Sequence, residues 1–255
     1  MRTVNSQQEE AFPAWMERTV QLLGPEKCRA LMQAHVLVAG LGGVGSAAAE
    51  SLVRTGIGKI TIVDSDVVQP SNINRQVPAL HSTIGLNKAD IMKARLLDIN
   101  PDLQIKALTS YMRDETATEI LERGYDFVVD AIDTLSPKVH LIEKAYKMGL
   151  PLASSMGSGG KTDPTKITIT DFGKTYNCKL AYILRKKLRK MGVEKGFKVV
   201  FSTEQVDRNV VLEVENEPNK KSTLGTVHYI PAIFGSMLAS IVVDGITGQA
   251  EQTER

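Results

Sequence analysis

Residues 35–52 read HVLVAGLGGVGSAAAESL, an apolar strand that runs into closely spaced glycines and then into a helix. Few strings constrain a chain more. A loop of this kind lets backbone N–H groups and a helix N-terminus approach a phosphate with no side chain in the way. Gly40, Gly42 and Gly45 have the spacing of the dinucleotide fingerprint, with Gly43 between them. Asp64 ends the next strand, KITIVD, at about the distance where an acid accepts ribose hydroxyls. Up to this point NAD and ATP are served equally well.

The segment that follows separates them. A dehydrogenase usually continues with another short βα unit, whereas residues 64–80 read DSDVVQPSNINRQVPAL. Asp66 sits two places beyond Asp64, and the run NINRQ packs two asparagines, an arginine and a glutamine together. Asn74, Arg75 and Gln76 are the side chains to hold a triphosphate, by charge-assisted forks and amide donors. A nicotinamide needs no such clamp. GLNKADIMKARLLDIN then sets Lys88 at the start of a helix, where its ammonium can reach the same phosphates as a point charge. YDFVVDAIDT reads as a buried strand ending in Asp130 and Asp133, and a carboxylate at such a strand end is well placed to hold Mg²⁺.

Along the chain, HVLVAG, KITIVD, LQIKALT, YDFVVD and PLASSM alternate with helical stretches near 45–55, 87–100, 114–123 and 137–148. This predicts an α/β fold: a doubly wound, mainly parallel, Rossmann-like sheet with helices on both faces. A helical arm occupies the region from about residue 9 to 23, followed by a short helix opened by Pro25, where a missing N–H costs nothing. In the C-terminal half KITITDF, VVFST and VVLEV are expected to extend the sheet with antiparallel members, and 213–223 is the best stretch for a mobile surface loop. We read residues 1–255 as one domain: an arm (1–34), a nucleotide-binding core (35–156) and a substrate-side extension (157–248).

Composition narrows the class. With 255 residues at 42% hydrophobic content the chain can bury one large core. The opening MRTVNSQQEE is polar and lacks the apolar centre of a signal peptide, and the tract YIPAIFGSMLASIVVDGITG is interrupted by Gly235, Ser236 and Asp244. A buried C-terminal helix and a cytoplasmic location without membrane contact are therefore expected. Two cysteines, Cys28 and Cys178, make no disulfide framework, and the four histidines show no ligand spacing. The formal charge is only +2, but residues 179–198 hold eight Lys or Arg against one acid, a local +7 that leaves about −5 for the rest. Leu180, Leu184, Leu188 and Met191 recur there at helical spacing, so the opposite face carries Arg185, Lys186, Lys187, Arg189 and Lys190. Such a face is a solvated charge run or a phosphate-binding surface.

The series GLGGVGS, TIVDSD, SNINRQ, GLNKAD and DAIDT resembles the ThiF-type, ubiquitin-activating-like adenylyltransferases, over about residues 18–248. ERTVQLLG, SLVRTGIGKITIVDSD and SSMGSGGKTDPTKITITDF are most similar to the branch of that superfamily formed by the tRNA threonylcarbamoyladenosine dehydratases. The resemblance implies an ATP-dependent ligase-like enzyme that adenylates a carboxylate and closes it to a ring, with tRNA as partner and Mg²⁺ at Asp133. It assigns Asp64 to the ribose and Arg75, Asn74 and Lys88 to the phosphates. It also implies a homodimer in which Arg18 of one subunit reaches the ATP site of the other. The chain departs from relatives that carry two CxxC pairs, since two cysteines cannot build a four-cysteine zinc site. Cys178, just before the basic helix, is placed for thiolate formation as an acyl or sulfur acceptor, which leaves a sulfur-transfer protein as a further partner. Ser154, Ser155 and Ser158 lack a nearby histidine and are read as pocket-shaping hydroxyls. An activator of a small sulfur-carrier protein and an NAD-dependent oxidoreductase or nucleotide sensor are the other classes the sequence admits.

Overall fold

The computed structural model describes residues 12–206, 211–213 and 222–248. A turn of 3-10 helix and α1 (Glu17–Leu23) lead into α2 (Pro25–Gln33), which does begin at Pro25. The core then alternates: β1 (His35–Ala39), α3 (Gly43–Thr55), β2 (Lys59–Val63), α4 (Lys88–Ile99), β3 (Gln104–Leu108), α5 (Asp114–Leu121), β4 (Phe127–Asp130), α6 (Leu135–Lys147) and β5 (Leu152–Ser155). After these come β6 (Ile167–Asp171), α7 (Lys179–Arg189), β7 (Lys198–Ser202), β8 (Val211–Glu213), β9 (Ser222–Leu224) and α8 (Tyr229–Thr247).

Seven strands form one sheet in the order β3-β2-β1-β4-β5-β7-β6. All neighbours are parallel except β6, which runs antiparallel to β7 at the edge. Alternate residues serve opposite faces. Val36, Val38, Ile60, Ile62, Val129, Ala153 and Val200 join a core with helices α3 and α8, while Leu37, Ala39, Val63, Val128, Leu152, Val199 and Phe201 join a second core with α6 and α7. Strands buried on both faces read as near-continuous apolar runs, which is why HVLVA and FVVD announce themselves in the sequence.

One detail differs from expectation. VVLEV does not extend the main sheet: β8 pairs with β9 in a separate two-stranded antiparallel sheet. A three-residue strand can close locally on its chain neighbour at far lower loop entropy than at a distant sheet edge. The stretch 214–221, which contains most of the expected surface loop, lies outside the described residues, as does the start of the N-terminal arm. The apolar C-terminal tract is one helix, α8, and by length and composition it is the one helix among the described residues that could cross a membrane. It lies inside the fold instead: Ile230, Phe234, Leu238, Ile241 and Val242 are buried in the α3-side core.

The strand order reverses direction between β1 and β4, so the chains leaving their C-terminal ends diverge to opposite faces and open a crevice. The glycine turn leaves β1 and Asp130 ends β4 at that crevice.

Candidate nucleotide-binding site

The three fingerprint glycines do different things. Gly40 has φ +88°, and a Cβ there would lie 2.8 Å from the carbonyl oxygen of Ala131, so both its conformation and its neighbour exclude a side chain. At Gly45 a Cβ would meet the carbonyl oxygen of Gly40 at 1.7 Å, which makes this residue the contact that lets α3 pack against its own turn. Gly42 is unlike either. Its φ of −69° suits any residue, and the one atom near an added Cβ is Gln76 Nε2 at 3.8 Å. Nothing in the fold demands glycine at 42, whereas a phosphate set on the backbone would. Gly42→Ala is thus expected to leave the melting temperature within about 2 °C, since a methyl group set in open space costs roughly 0.5 kcal/mol or less. It should weaken ATP at least about tenfold, the loss of one hydrogen bond to a charged group. Titration calorimetry and a thermal melt read both, and unchanged affinity would refute an ATP site at this turn.

Asp64 anchors the same loop. One carboxylate oxygen accepts the Leu41 amide at 2.6 Å and the other the Asp66 amide at 2.8 Å. Burial pushes its carboxyl above the ordinary value, and the Lys88 charge and these two amides pull the other way. Lys88 is buried and its ammonium is held 2.9 Å from Asp66, whose own side chain is largely exposed. The lysine is thus paired across the mouth of the turn rather than extended alone.

The polar crossover folds back onto the glycine turn. The Arg75 carbonyl would lie 3.0 Å from a Cβ at Gly43, and Gln76 stands beside Gly42. Arg75 Nη1 donates to Ser71 O at 2.6 Å and to Asn74 Oδ1 at 3.1 Å, while its Nε and Nη2 donors take no partner among the described residues. Asn74 Nδ2 donates to Thr226 O at 3.1 Å, and a ring nitrogen of His228 lies 3.3 Å from Arg75 O, so the start of α8 braces the cluster. Gln76 is buried, yet among the described residues neither its Oε1 nor Thr226 Oγ1 has a hydrogen-bond partner. A buried polar atom without a protein partner, on a side chain that stands beside Gly42, is the kind of group that a ligand or water satisfies.

The two carboxylates after β4 part company. Asp130 is fully buried, 2.6 Å from the equally buried Lys138 ammonium, and accepts from Ser154 Oγ at 2.6 Å and from the Ile132 amide at 3.2 Å. Its oxygens are committed to the fold. Asp133 is exposed on the turn before α6. No group of three or more His, Cys, Asp or Glu side chains gathers into a metal cluster among the described residues. A single carboxylate of this kind fits Mg²⁺ carried on nucleotide phosphates, the usual habit of that ion, and would not hold one alone. Lys138 is a residue the sequence reading missed. Its signal is its spacing, since 138, 141, 142 and 145 form the buried stripe of α6 and a lysine there must find a partner inside.

The far wall is the loop after β5. Gly160 N donates to Gly225 O at 2.8 Å and the Tyr229 hydroxyl donates to Thr162 O at 2.9 Å, tying that loop to the segment before α8. Lys161 is buried behind it and donates to the Glu204 carbonyl. Burial lowers its pKa, opposed by Cys178 and Glu204. Cys178 caps α7, its Sγ accepting the Ala181 amide, and is only partly exposed. Of the serines, Ser154 serves Asp130 and Ser155 donates to Met156 O at 2.9 Å. On the basic helix Ala181, Leu184 and Leu188 are buried, and Lys186, Lys187, Arg189 and Lys190 are exposed. Arg185 is half-buried and donates to Thr175, and Arg189 pairs with Glu194 at 3.2 Å, so neither is as available as the lysines. Arg18 is exposed on α1 and makes no ion pair among the described residues.

This geometry has known counterparts. The chain is 42% identical over 228 residues to the tRNA threonylcarbamoyladenosine dehydratase of Bacillus subtilis, covering 87% of this chain and 90% of that one. It is 41% identical over 201 residues to the Escherichia coli protein of the same name, covering 75% of each. The crystal structure of E. coli tRNA N6-threonylcarbamoyladenosine dehydratase, TcdA, in complex with ATP superposes with a TM-score of 0.84 at 35% identity, covering 95% of this chain and 98% of that one. The ThiF family model matches residues 16–255. With that match running over nearly the whole chain, from residue 16 to residue 255, the chain belongs to the ThiF family.

Proposed function

We propose that this protein is an ATP-dependent tRNA threonylcarbamoyladenosine dehydratase. The observation that carries this is the crossover lying on the glycine turn, with the Arg75 carbonyl over Gly43 and the Gln76 amide nitrogen beside Gly42, which brings the segment that bears Asn74, Arg75 and Gln76 to a turn of the phosphate-binding kind. The named relatives supply the substrate class.

In the reaction, ATP is bound with its phosphates on the amides that open α3 and with its ribose hydroxyls donating to Asp64. Arg75, Asn74 and Gln76 hold the polyphosphate, and the Lys88–Asp66 pair contributes its lysine charge from the rim. These donors stabilise the charge that builds up as the threonylcarbamoyl carboxylate attacks the α-phosphorus and pyrophosphate leaves. The urea group of the same side chain then displaces AMP, closing the ring within one molecule, so positioning supplies most of the acceleration. Asp133 would hold Mg²⁺, which supplies charge neutralisation on the phosphates when bound. Arg18 reaches the neighbouring site across a homodimer. The whole chain acts as one ATP-binding unit in the cytoplasm, with residues 157–248 on the tRNA side.

The test is direct. Purified protein incubated with ATP and threonylcarbamoylated tRNA should yield a nucleoside lighter by one water on mass spectrometry, together with AMP and pyrophosphate. No mass loss, with ATP–pyrophosphate exchange stimulated instead by a protein ending in Gly-Gly, would overturn the assignment in favour of sulfur-carrier activation.

A further inference from the structure

The basic face of α7 carries an aromatic side chain that neither the fold nor the adenylation chemistry uses. Tyr182 is 61% exposed, on the first turn of the helix. Residues three and four apart share a helix face, so Tyr182 lies between Lys179 and Lys186, with Arg189 and Lys190 further along the same stripe. The opposite stripe, Ala181, Leu184 and Leu188, is sunk in the core and holds the helix rigid beneath them. The helix starts against the loop after β5, the loop that is tied to the segment before α8: a Cβ on Gly157 would lie 3.5 Å from Cys178 Sγ and 3.8 Å from the Leu180 Cβ. Tyr182 stands about 6 Å along the axis from that contact, at 1.5 Å per residue.

We infer that Tyr182 is a base-stacking residue that receives an unpaired RNA base next to the reacting nucleotide, with Lys179, Lys186 and Lys190 on the flanking phosphates. This rests on the tRNA reading and adds to it the form of RNA bound. Lysines alone attract any duplex, because phosphates carry no sequence or strand information. An exposed aromatic ring among them selects single-stranded segments, whose bases can leave their stack and lie on its face.

The experiment compares a fluorescently labelled RNA hairpin bearing an unpaired loop with a blunt duplex of equal phosphate count, by anisotropy, on the full-length protein. Wild type should prefer the hairpin. Tyr182→Ala should lose roughly ten- to a hundredfold on the hairpin, the worth of one stacked base. Duplex binding, the salt slope and the melting temperature should stay unchanged. Tyr182→Phe should bind as wild type, since stacking uses the ring and not the hydroxyl. Equal hairpin affinity for Tyr182→Ala and wild type would overturn the inference, as would equal losses on hairpin and duplex, or a Phe variant as weak as Ala. Intact hairpin binding by Lys186→Glu with Lys190→Glu would overturn it as well. The underlying tRNA reading fails separately, if wild type binds neither RNA, or binds anionic vesicles in their place.

Discussion

Lys138→Met is expected to destabilise the protein by about 3–5 kcal/mol, the cost of stranding a buried charge whose partner has gone. In a chain of 255 residues that corresponds to a fall in melting temperature on the order of 10 °C. The size follows from the geometry. Lys138 and Asp130 have no exposed side-chain surface, lie 2.6 Å apart, and are closed in by Ser154 and by the Ile132 carbonyl, which accepts from the ammonium at 3.0 Å. Methionine fills the same channel without charge and leaves Asp130 with one hydroxyl and one amide. Because the pair joins the end of β4 to the first turn of α6, it also holds the 131–134 turn that bears Asp133 and presses Ala131 against Gly40. Adenylation should therefore fall even at temperatures where the variant is folded. The double variant Asp130→Asn with Lys138→Met removes both charges and should regain most of the lost stability, as buried pairs replaced together often do. Differential scanning calorimetry decides: a single variant that melts with wild type would show that the pair carries little, and a double variant no better than the single would show that the loss does not come from a stranded charge.

The parts of this molecule that were legible in the sequence are those where one physical demand acts on neighbouring residues. Strands β1, β2 and β4 are buried on both faces and so spell continuous apolar runs, and the turn after β1 needs glycine for reasons local to it. Asn74, Arg75 and Gln76 stood out because polar side chains crowded between two elements of an apolar sheet have little structural use. What stayed hidden depended on partners far along the chain. Asp130 and Asp133 are equivalent as letters, and only the arrival of Lys138 and Ser154 consumes one and leaves the other at the surface. Lys88 reads as a lone cation in the sequence, and its pairing with Asp66, 22 residues earlier, shows only in the fold. Arg185 belongs to a basic run by sequence and to Thr175 by contact. VVLEV has the composition of a sheet strand, but its partner is β9, whose sequence STL gives no β signal of its own.

Arg75→Ala should lower ATP–pyrophosphate exchange about 10²- to 10³-fold through kcat, the usual consequence of removing one preorganised donor from a developing negative charge. The melting temperature should hardly move. Arg75 is half-exposed, and among the described residues its side chain bonds to Ser71 O and Asn74 Oδ1 alone, both within four residues of it, so the fold loses two local hydrogen bonds that water replaces. Those same two bonds are what make the residue effective: they fix Nη1 and leave the Nε and Nη2 side of the fork presented in a set orientation, with no entropy left to lose when charge appears. Arg75→Lys keeps the charge but offers a point donor on a flexible stem that cannot use both anchors, so it should recover only a small part of the rate. A purely electrostatic role would let lysine rescue fully, and a purely structural one would show as a lowered melting temperature with the surviving folded enzyme at full kcat. Exchange kinetics on the three proteins at matched fractions folded separate these cases. Retention of wild-type kcat by the alanine variant would remove Arg75 from the transition state and, with it, the reason for the crossover to lie against the glycine turn.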